Sequence, residues 1–529
     1  MKYFLTLIQL WVGFLSICAS YPKANIWIIP SVESPQVYRN YAQTSKVHLE
    51  MARGEVEHIQ LVFPSKVNEE YRFTFDRYLK GIQISARELK KMNGYYDALV
   101  PFKNQLKCTD TLTAVWITVQ CPSRVPVGKY HQTIKIEGSK HFTIQLDYNV
   151  HHTTIPLKSS IPITVGVENR CMTECLNDKE ADKERQRWVD FVLSYRMTPV
   201  FGTQITPERW QYEHSFSPWA WNDKRSIRLL NDRRYSCYML PFFTLSENEL
   251  ASLLCNIQKK GKLKESLFYI WDEPAYMEDY EQIKRKVNII RKYASDARIL
   301  TTFFCGPRNG PRKGDLYAVF DYLKHHIHVA TISLAPCKGN EEEVQHIRYK
   351  VPEGIDWWSY VCWQPGGNEP NFLLQMKGIQ QRAIMWRTWK NGSQGFLYWN
   401  CNIYHKRNPF TYITDMPHGD GILIYPGDIL GCKGPIASAR LERWRDGAEE
   451  MELLRLVEKN YSKEKADTLL NIVYSSPLSF IEKAHNIPFF RKELLDQLDK
   501  TIPIDYKLRI TDFILSLIHI SEPTRHAQI

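Results

Sequence analysis

The sequence predicts a multidomain chain in which a β-sandwich precedes an α/β barrel of the (β/α)8, or TIM, type and a C-terminal helical segment. Residues 22–155 contain short strand-like runs between Pro and Gly turns. Residues 160–415 alternate strand-like and helical stretches, and residues 416–505 hold a Gly-rich loop followed by helical periodicity. With 529 residues, 43% of them hydrophobic, the chain can bury more than one core.

Five runs in the N-terminal segment predict strands of a sandwich. They are Asn25–Ile29, His58–Phe63, Ala114–Gln120, His131–Ile136 and Phe142–Val150. The sequence Pro126-Val127-Gly128-Lys129-Tyr130 predicts a hairpin turn. No pattern in this segment indicates chemistry, and we expect Trp116 to belong to the core.

The next segment predicts eight strands with helices between most of them, which is the size of a TIM barrel. The strands are Ile161–Asn169, Pro199–Ile205, Cys237–Thr244, Ser266–Trp271, Arg298–Phe304, His328–Ala335, Ile355–Trp363 and Gly395–Ile403. The helices include Lys179–Tyr195, Glu247–Lys260, Met277–Tyr293 and Phe372–Trp389. On this count, Asp272 and Glu273 close the fourth strand.

Two further features follow the eighth strand. Residues Gly419–Gly427 predict a Gly-rich hairpin or loop, and Pro435–Lys459 predicts a helix that a polar helical tail continues to about residue 505. Residues 515–529 resemble a translated sequencing adapter, so we expect them to be non-native.

The first twenty residues are typical of a signal peptide. Lys2 precedes an apolar stretch from Phe4 to Ile17, and Cys18-Ala19-Ser20 offers a small-residue cleavage site. Ile17 is a poor neighbour for a lipidated Cys18, so a lipid anchor is disfavoured. No later segment is apolar enough to span a bilayer. The sequence therefore predicts a secreted, periplasmic or cell-surface protein without an integral membrane segment after cleavage.

Composition excludes several function classes. The formal net charge is +11, but the basic residues are scattered and no nucleic-acid recognition motif occurs. The cluster His325-His326-Ile327-His328 resembles a metal site, yet it precedes a strand and so lies at the opposite end of a barrel from Asp272 and Glu273. We predict no metal, no cofactor and no nucleic-acid partner.

The most informative stretch is Phe268-Tyr269-Ile270-Trp271-Asp272-Glu273-Pro274, an apolar run that ends in two carboxylates and a proline. Charged groups at the end of a buried strand are costly unless they are paired or used. In a parallel barrel, the carboxyl ends of the strands carry the chemistry. The structural alternative is an acidic cap on the following helix, because Asp and Glu favour helix N-termini.

Adjacent carboxylates cannot easily flank a sugar ring, as the two acids of an ordinary glycosidase do. They suit a substrate whose own 2-acetamido oxygen attacks the anomeric carbon, which is a recognised exception among glycosidases. One carboxylate would then orient the acetamido group, while its neighbour donates the proton and later activates water. This division requires the two pKa values to be separated.

Aromatic and amide side chains at the ends of the seventh and eighth strands are consistent with a sugar site. We expect Tyr360, Trp363, Trp399 and Asn400 to bind substrate, because they lie near the predicted mouth. Trp357 and Trp358 lie earlier in their strand and are expected in the core.

With these motifs, the chain resembles glycoside hydrolase family 123, whose known members are β-N-acetylgalactosaminidases, and relatives of unassigned substrate. The resemblance covers nearly the whole mature chain. The motifs that carry it are Ala52-Arg-Gly-Glu55-Val-Glu57-His-Ile-Gln60, Pro126-Val-Gly128-Lys-Tyr130, Trp271-Asp272-Glu273-Pro274, Trp357-Trp358-Ser-Tyr360, Gly395-Phe-Leu-Tyr398-Trp399-Asn400, Gly419-Asp420-Gly421 to Gly427, and Ala437 to Glu449.

The resemblance implies a β-sandwich, a TIM barrel and retaining, substrate-assisted hydrolysis. It makes Glu273 the general acid/base and Asp272 the acetamido stabiliser, with a glycan or glycoconjugate as substrate. Arg440, Arg445 and Asp446 also match family positions, but we expect them to form a structural ion-pair network. Fold does not fix the substrate.

Two other functions remain open from the sequence. An ordinary two-carboxylate retaining glycosidase would need a second acid at a distant strand end, and the seventh and eighth strands offer no convincing one. A non-catalytic glycan-binding or surface protein on the same scaffold would also use the abundant aromatics, although it has little reason to keep the Asp-Glu pair.

Overall fold

The computed structural model describes residues 26–76, 81–206, 211–409 and 418–501. The expected signal peptide 1–20 and the expected non-native tail 515–529 therefore lie outside the described residues. Within the described part of the chain, no helix is long and apolar enough to cross a membrane.

The described N-terminal region consists of ten strands in two five-stranded sheets. The strands are β1 Trp27–Pro30, β2 Lys46–Arg53, β3 Glu55–Pro64, β4 Glu70–Phe75, β5 Gln83–Met92, β6 Tyr95–Pro101, β7 Gln105–Lys107, β8 Leu112–Cys121, β9 Gly128–Glu137 and β10 His141–Thr154. The sheet orders are β1-β3-β8-β5-β6 and β2-β10-β9-β4-β7. Alternate residues of both sheets share one apolar core, which includes Ile117, Ile134 and Leu146. The predicted sheet-rich N-terminal region is confirmed.

The predicted hairpin at Pro126–Tyr130 is wrong. Strands β8 and β9, which flank this segment, belong to different sheets, so the segment crosses from one sheet to the other. Strand β9 instead pairs antiparallel with β10. A Pro-Gly signal marks where the chain turns, but it does not specify which strands the turn connects.

A nine-stranded sheet contains all eight strands predicted for the second segment. Its members are β11 Ile163–Glu168, β12 Thr198–Thr206, β13 Gln211–Ser215, β14 Tyr238–Met239, β15 Ser266–Trp271, β16 Arg298–Phe303, β17 Val329–Ser333, β18 Asp356–Val361 and β19 Phe396–Tyr398. The order is β13-β12-β11-β19-β18-β17-β16-β15-β14, and every pair except β12 with β13 is parallel.

The sheet is barrel-like and nearly closed. Among the described residues, no strand ladder joins β12 to β14; the unpredicted β13 runs antiparallel to β12 on that side. Just after β13, the Phe216 amide donates a hydrogen bond to the Met239 carbonyl of β14 at 2.6 Å. The antiparallel insertion therefore occupies the seam between the second and third parallel strands.

Helices cover the outside of this sheet. They are α1 Asn169–Thr173, α2 Asp178–Ser194, α3 Lys224–Leu229, α4 Glu247–Lys259, α5 Met277–Arg291, α6 Leu316–Leu323, α7 Glu341–Lys350 and α8 Gly378–Lys390. On β15, Phe268 and Ile270 pack outward with helix residues, whereas Leu267 and Tyr269 join an inner cluster with Tyr360 of β18. The helix predicted from Phe372 begins later, at Gly378.

The C-terminal segment begins with a small hairpin of β20 Ile424–Pro426 and β21 Pro435–Ala437. Helices α9 Ala439–Asn460, α10 Lys463–Leu470 and α11 Ile487–Asp499 follow. The helix predicted from Pro435 begins at Ala439, because residues 435–437 pair with β20 and the Ser438 hydroxyl caps the helix by accepting from the Leu441 amide at 3.0 Å.

Helix α9 joins the N-terminal sheets to the barrel through buried ion pairs. Arg440 pairs with Asp97 at 2.9 Å, and Asp446 pairs with Arg382 of α8 at 3.0 Å. Arg445 pairs with Glu442 of the same helix, and Glu442 also pairs with Arg87 at 2.6 Å. Further buried ion pairs around this helix involve Glu55, Glu57, His58, Arg196, Glu449, Glu450 and Arg491. The structural role expected for Arg440, Arg445 and Asp446 agrees with these contacts.

Candidate active site

The inner face of the barrel-like sheet ends in a layer of polar and aromatic side chains at the carboxyl ends of the strands. Tyr269, Tyr360 and Trp399 belong to or pack against the inner cluster. Thr302 lies within hydrogen-bond distance of Tyr269 on the neighbouring strand. Asp272 and Glu273 directly follow β15, so their main-chain position places them at this end of the sheet.

Asp272 is held by two hydroxyl groups. Its Oδ1 accepts hydrogen bonds from the Tyr269 hydroxyl at 2.6 Å and from Thr302 Oγ1 at 2.8 Å. Both donors contact the same oxygen, and the residue is exposed to solvent. The arrangement fixes the carboxylate while leaving it open to a ligand.

Glu273 is also exposed to solvent, but its hydrogen-bond partners differ. Its backbone φ is +43°, a left-handed conformation that is unusual for a residue other than glycine. Its amide donates to Thr302 Oγ1 at 2.8 Å, and Tyr360 donates its hydroxyl hydrogen bond to Glu273 Oε1. Thr302 thus ties both acids of the pair to β16, and the strained backbone turns the two side chains to separate partners.

The pKa of Glu273 is raised to about 7. Desolvation of the carboxyl group by surrounding protein is the largest cause, and the negative charge of Asp272 adds to it. The Tyr360 hydrogen bond and the charge of Arg308 act in the opposite direction. A carboxyl group with a pKa near neutrality can both give and take a proton under physiological conditions.

The inserted strand β13 supports this arrangement. His214 stacks on Tyr269 with ring centroids 4.2 Å apart and an interplanar angle of 18°. Burial lowers the pKa of His214 to about 4, so its imidazole is neutral at neutral pH. Glu213 of the same strand accepts from the Phe242 amide at 2.8 Å and from the Thr244 amide at 2.7 Å, which anchors β13 beyond β14.

The four predicted binding residues have different surroundings. Tyr360 is buried and contacts Glu273, whereas Trp399 is partly buried and donates from Nε1 to Asp420 Oδ1 at 3.1 Å. Trp363 is 45% exposed beyond the end of β18. Asn400 is buried, and its Oδ1 accepts from the Asn402 amide at 2.9 Å. The structure therefore brings Tyr360 to the carboxylate pair, places Trp399 on the inner wall and uses the Asn400 oxygen within its own loop.

Trp357 and Trp358 are buried, as expected for core residues. Trp357 Nε1 donates to Ser393 Oγ at 2.8 Å, and Trp358 belongs to the inner cluster beneath Tyr360. Neither side chain is available to a ligand at the mouth.

Sequence reasoning missed several residues around the pair. Tyr269 and Thr302 contact Asp272, and His214 contacts Tyr269. The signal for Tyr269 and Thr302 was their place near the ends of two neighbouring predicted strands. Strand alternation places Tyr269 on the same face as Leu267, but both faces of a parallel strand are buried, so the sequence does not show which face is the inner one.

Two buried acids at the same end of the sheet were also missed. Glu168 ends β11 opposite Gly202 of β12, and burial raises its pKa to about 7. Asp420 lies in the loop after β19, and burial raises its pKa to about 6. Glu168 lies in the first strand predicted for this segment, and Asp420 lies in the Gly-Asp-Gly motif.

The described residues contain no group of three His, Cys, Asp or Glu side chains arranged to hold a metal ion. In the cluster noted from the sequence, His328 Nδ1 lies 3.2 Å from the Ile299 amide, which donates to it. This contact occurs at the start of β17, away from the carboxyl ends of the strands.

Comparison with known proteins identifies the family. Residues 183–457, just over half of the chain, match the family described as glycoside hydrolase 123, catalytic domain. A family 123 glycoside hydrolase from Clostridium perfringens, studied for glycolipid glycan hydrolysis, has a similar fold: 13% identity, coverage of 94% of this chain and 100% of that one, and a TM-score of 0.60.

More distant structures include a family 2 β-galacturonidase from Eisenbergiella tayi, with 9% identity, coverage of 75% of this chain and 89% of that one, and a TM-score of 0.31. No curated protein sequence matches the chain. The matched range contains the Asp272–Glu273 pair, Tyr360, Trp399 and Asp420. The chain therefore belongs to glycoside hydrolase family 123.

Proposed function

We propose that the protein is a retaining glycosidase that cleaves β-linked N-acetylhexosamine, specifically N-acetylgalactosamine, from glycans by substrate-assisted catalysis. The observation that carries this proposal is the contrast within the adjacent carboxyl pair. Asp272 is fixed by two hydroxyl donors, whereas Glu273 has a pKa of about 7. The same contrast separates an orienting group from an acid/base.

In the first step, the acetamido carbonyl oxygen of the substrate attacks the anomeric carbon as the glycosidic C–O bond breaks. Glu273 gives its proton to the departing oxygen, and Asp272 accepts a hydrogen bond from the acetamido N–H and stabilises the positive charge of the oxazolinium ion. In the second step, the Glu273 carboxylate takes a proton from water. That water attacks the anomeric carbon, reopens the ring and restores the acetamide with retained configuration.

The remaining predicted residues complete the proposal. Tyr360 holds the Glu273 carboxyl group in place, and Trp399 supplies an aromatic surface for the sugar. We propose that the exposed Trp363 lies at the outer edge of the binding site and the buried Asn400 at its inner edge. We also propose that the nine-stranded sheet is a TIM barrel in which β13 fills the gap between β12 and β14. We further propose that the protein is exported and acts on glycans outside the cytoplasm.

The C. perfringens relative acts on glycolipid glycans, and this chemistry suits the proposed site. The reducing-end portion of a glycolipid glycan would leave through the open mouth, where Trp363 is exposed. We therefore propose glycolipid or related glycoconjugate glycans as the substrate class.

The direct test compares aryl β-glycosides of N-acetylgalactosamine and N-acetylglucosamine with the matched galactoside and glucoside. Substrate assistance requires the acetamido group, so only the N-acetylated compounds should be cleaved. Comparable turnover of the plain glycosides would reject the mechanism. Glycan binding without any turnover would instead support the non-catalytic alternative.

A further inference from the structure

One carboxylate oxygen of Asp420 accepts hydrogen bonds, and the other has no partner among the described residues. Its Oδ1 accepts from the Tyr398 hydroxyl and from Trp399 Nε1, both at 3.1 Å. Its Oδ2 is buried and has no hydrogen-bond partner among the described residues. The whole residue is only 3% exposed. An unpaired buried carboxylate oxygen costs free energy. The contacts on Oδ1 give Asp420 a structural role, but they do not explain why Oδ2 is buried without a partner.

The Asp420 side chain lies at the same mouth as the catalytic pair. The charges of Asp420 and Glu273 both raise the pKa of the Cys362 thiol, which belongs to the inner cluster just beyond β18. The indole that contacts Asp420, Trp399, packs against the same inner cluster. Asp420 therefore lies beside the inner cluster, against the indole that follows the eighth parallel strand.

The loop around Asp420 is held firmly. A Cβ on Gly421 would lie 2.5 Å from a ring carbon of Trp399, so the loop backbone is pressed against the indole. Arg440 donates to the Gly419 carbonyl at 2.7 Å and to the Ile422 carbonyl, while its ion-pair partner is Asp97. The arginine fixes the main chain on both sides of Asp420, and its charge partly offsets the rise that burial causes in the pKa of the Asp420 carboxyl group.

A carboxylate oxygen beside an indole has the chemistry of a sugar site. The indole packs on the apolar face of a pyranose, and hydroxyl groups at the edge of the ring then reach neighbouring acceptors. An ionised carboxylate accepts hydrogen bonds and cannot donate them, and a sugar hydroxyl group can donate one. Tyr398 and Trp399 both donate to Oδ1, so Oδ2 is the oxygen that has no donor among the described residues.

Building on the proposed function, we propose that Asp420 Oδ2 accepts a hydrogen bond from one hydroxyl group of the sugar held against Trp399, at a ring position away from the acetamido group. Asp420 is then a specificity-determining residue that reads one hydroxyl of the substrate. Sites built to hydrogen-bond a hydroxyl strongly reject an analogue that lacks it, because the buried protein group is left unpaired.

The test pairs Asp420→Asn with substrates that each lack one hydroxyl. Asparagine keeps one oxygen for Tyr398 and Trp399 but replaces the free acceptor with an amide donor. Aryl β-glycosides of N-acetylgalactosamine and its 3-, 4- and 6-deoxy analogues are compared by kcat/KM. For the wild type, one deoxygenation should cost about 10- to 150-fold, the range for a hydrogen bond to a charged group. That same deoxygenation should cost Asp420→Asn less than about threefold.

Tyr398→Phe is the comparison variant, because it removes the donor to Oδ1 and the acceptor of the Gly421 amide but keeps the Oδ2 carboxylate oxygen. It should lower stability and retain the wild-type pattern of deoxygenation costs. If Asp420→Asn also retains that pattern, Asp420 is only a structural anchor and the inference is overturned, while turnover of the parent glycoside leaves the proposed function standing.

Equilibrium binding separates the two proposals. Calorimetry measures the affinity of N-acetylgalactosamine and its deoxy analogues for the wild type and Asp420→Asn without requiring turnover. A deoxygenation cost that disappears in Asp420→Asn supports the inference even if no glycoside is cleaved. Failure of the wild type both to bind the sugar and to cleave its glycosides overturns the inference together with the proposed function.

Discussion

A conservative substitution at Thr302 should lower catalytic activity strongly while lowering the free energy of unfolding only slightly. Its Oγ1 donates to Asp272 Oδ1 at 2.8 Å and accepts from the Glu273 amide at 2.8 Å. Thr302→Val removes both hydrogen bonds and keeps the shape of a β-branched side chain. We expect kcat/KM to fall because Asp272 loses one of the two donors that orient it.

The magnitude follows from the two bonds. A hydrogen bond to a charged group contributes about 1.5–3 kcal/mol. If the bond to Asp272 is fully expressed in the transition state, kcat/KM falls about 10- to 150-fold, since 1.36 kcal/mol corresponds to about tenfold in rate. The Glu273 amide is left without its acceptor beside open solvent, so the free energy of unfolding should fall by only about 1 kcal/mol.

Thr301→Val provides a matched control on the adjacent residue. Thr301 is fully buried, and its hydroxyl has no hydrogen-bond partner among the described residues. Removing that hydroxyl should leave kcat/KM unchanged and should not lower stability. The assay is steady-state hydrolysis of an aryl N-acetylgalactosaminide, with unfolding measured in denaturant. Equal activity of the two variants would refute the role given to Thr302.

Two further predictions concern proton transfer and stability. Because the general acid must be protonated, kcat/KM should decline as pH rises through about 7, the pKa of Glu273. Tyr360→Phe removes a donor that lowers this pKa, so the alkaline limb of the pH profile should move to higher pH; a shift to lower pH would contradict the assignment. Asp446→Asn leaves Arg382 without one buried partner, so the free energy of unfolding should fall by about 3–5 kcal/mol. Lys492→Gln, in an exposed pair with Asp496, should change it by less than about 1 kcal/mol, and similar losses for both variants would argue against the buried network.

The strand order was predictable because apolar runs and helical periods alternate clearly along the chain. All eight parallel strands occur where the sequence predicts them. The inserted strand β13 was not predictable, since Gln-Tyr-Glu-His-Ser carries little apolar signal and its pairing with β12 depends on tertiary contacts. His214 was missed for the same reason.

The site was predictable only in part. Asp272 and Glu273 stood out because charge follows an apolar run. Thr302 and Glu168 did not, because parallel strands are buried on both faces and their sequences do not reveal which side chains point inward. Asp420 required the loop after β19 to fold back onto Trp399, a long-range contact that no local pattern encodes.

Asp272 and Glu273 have different roles in the proposed mechanism, and the leaving-group dependence of two variants tests this division directly. Glu273→Gln removes the proton donor, so turnover of a poor-leaving-group glycoside should fall by about 10²–10⁴-fold, and a good leaving group should restore much of it. Asp272→Asn impairs orientation of the acetamido group, so its loss should be similar for both leaving groups. Near-wild-type turnover of the poor-leaving-group substrate by either folded variant would contradict the account.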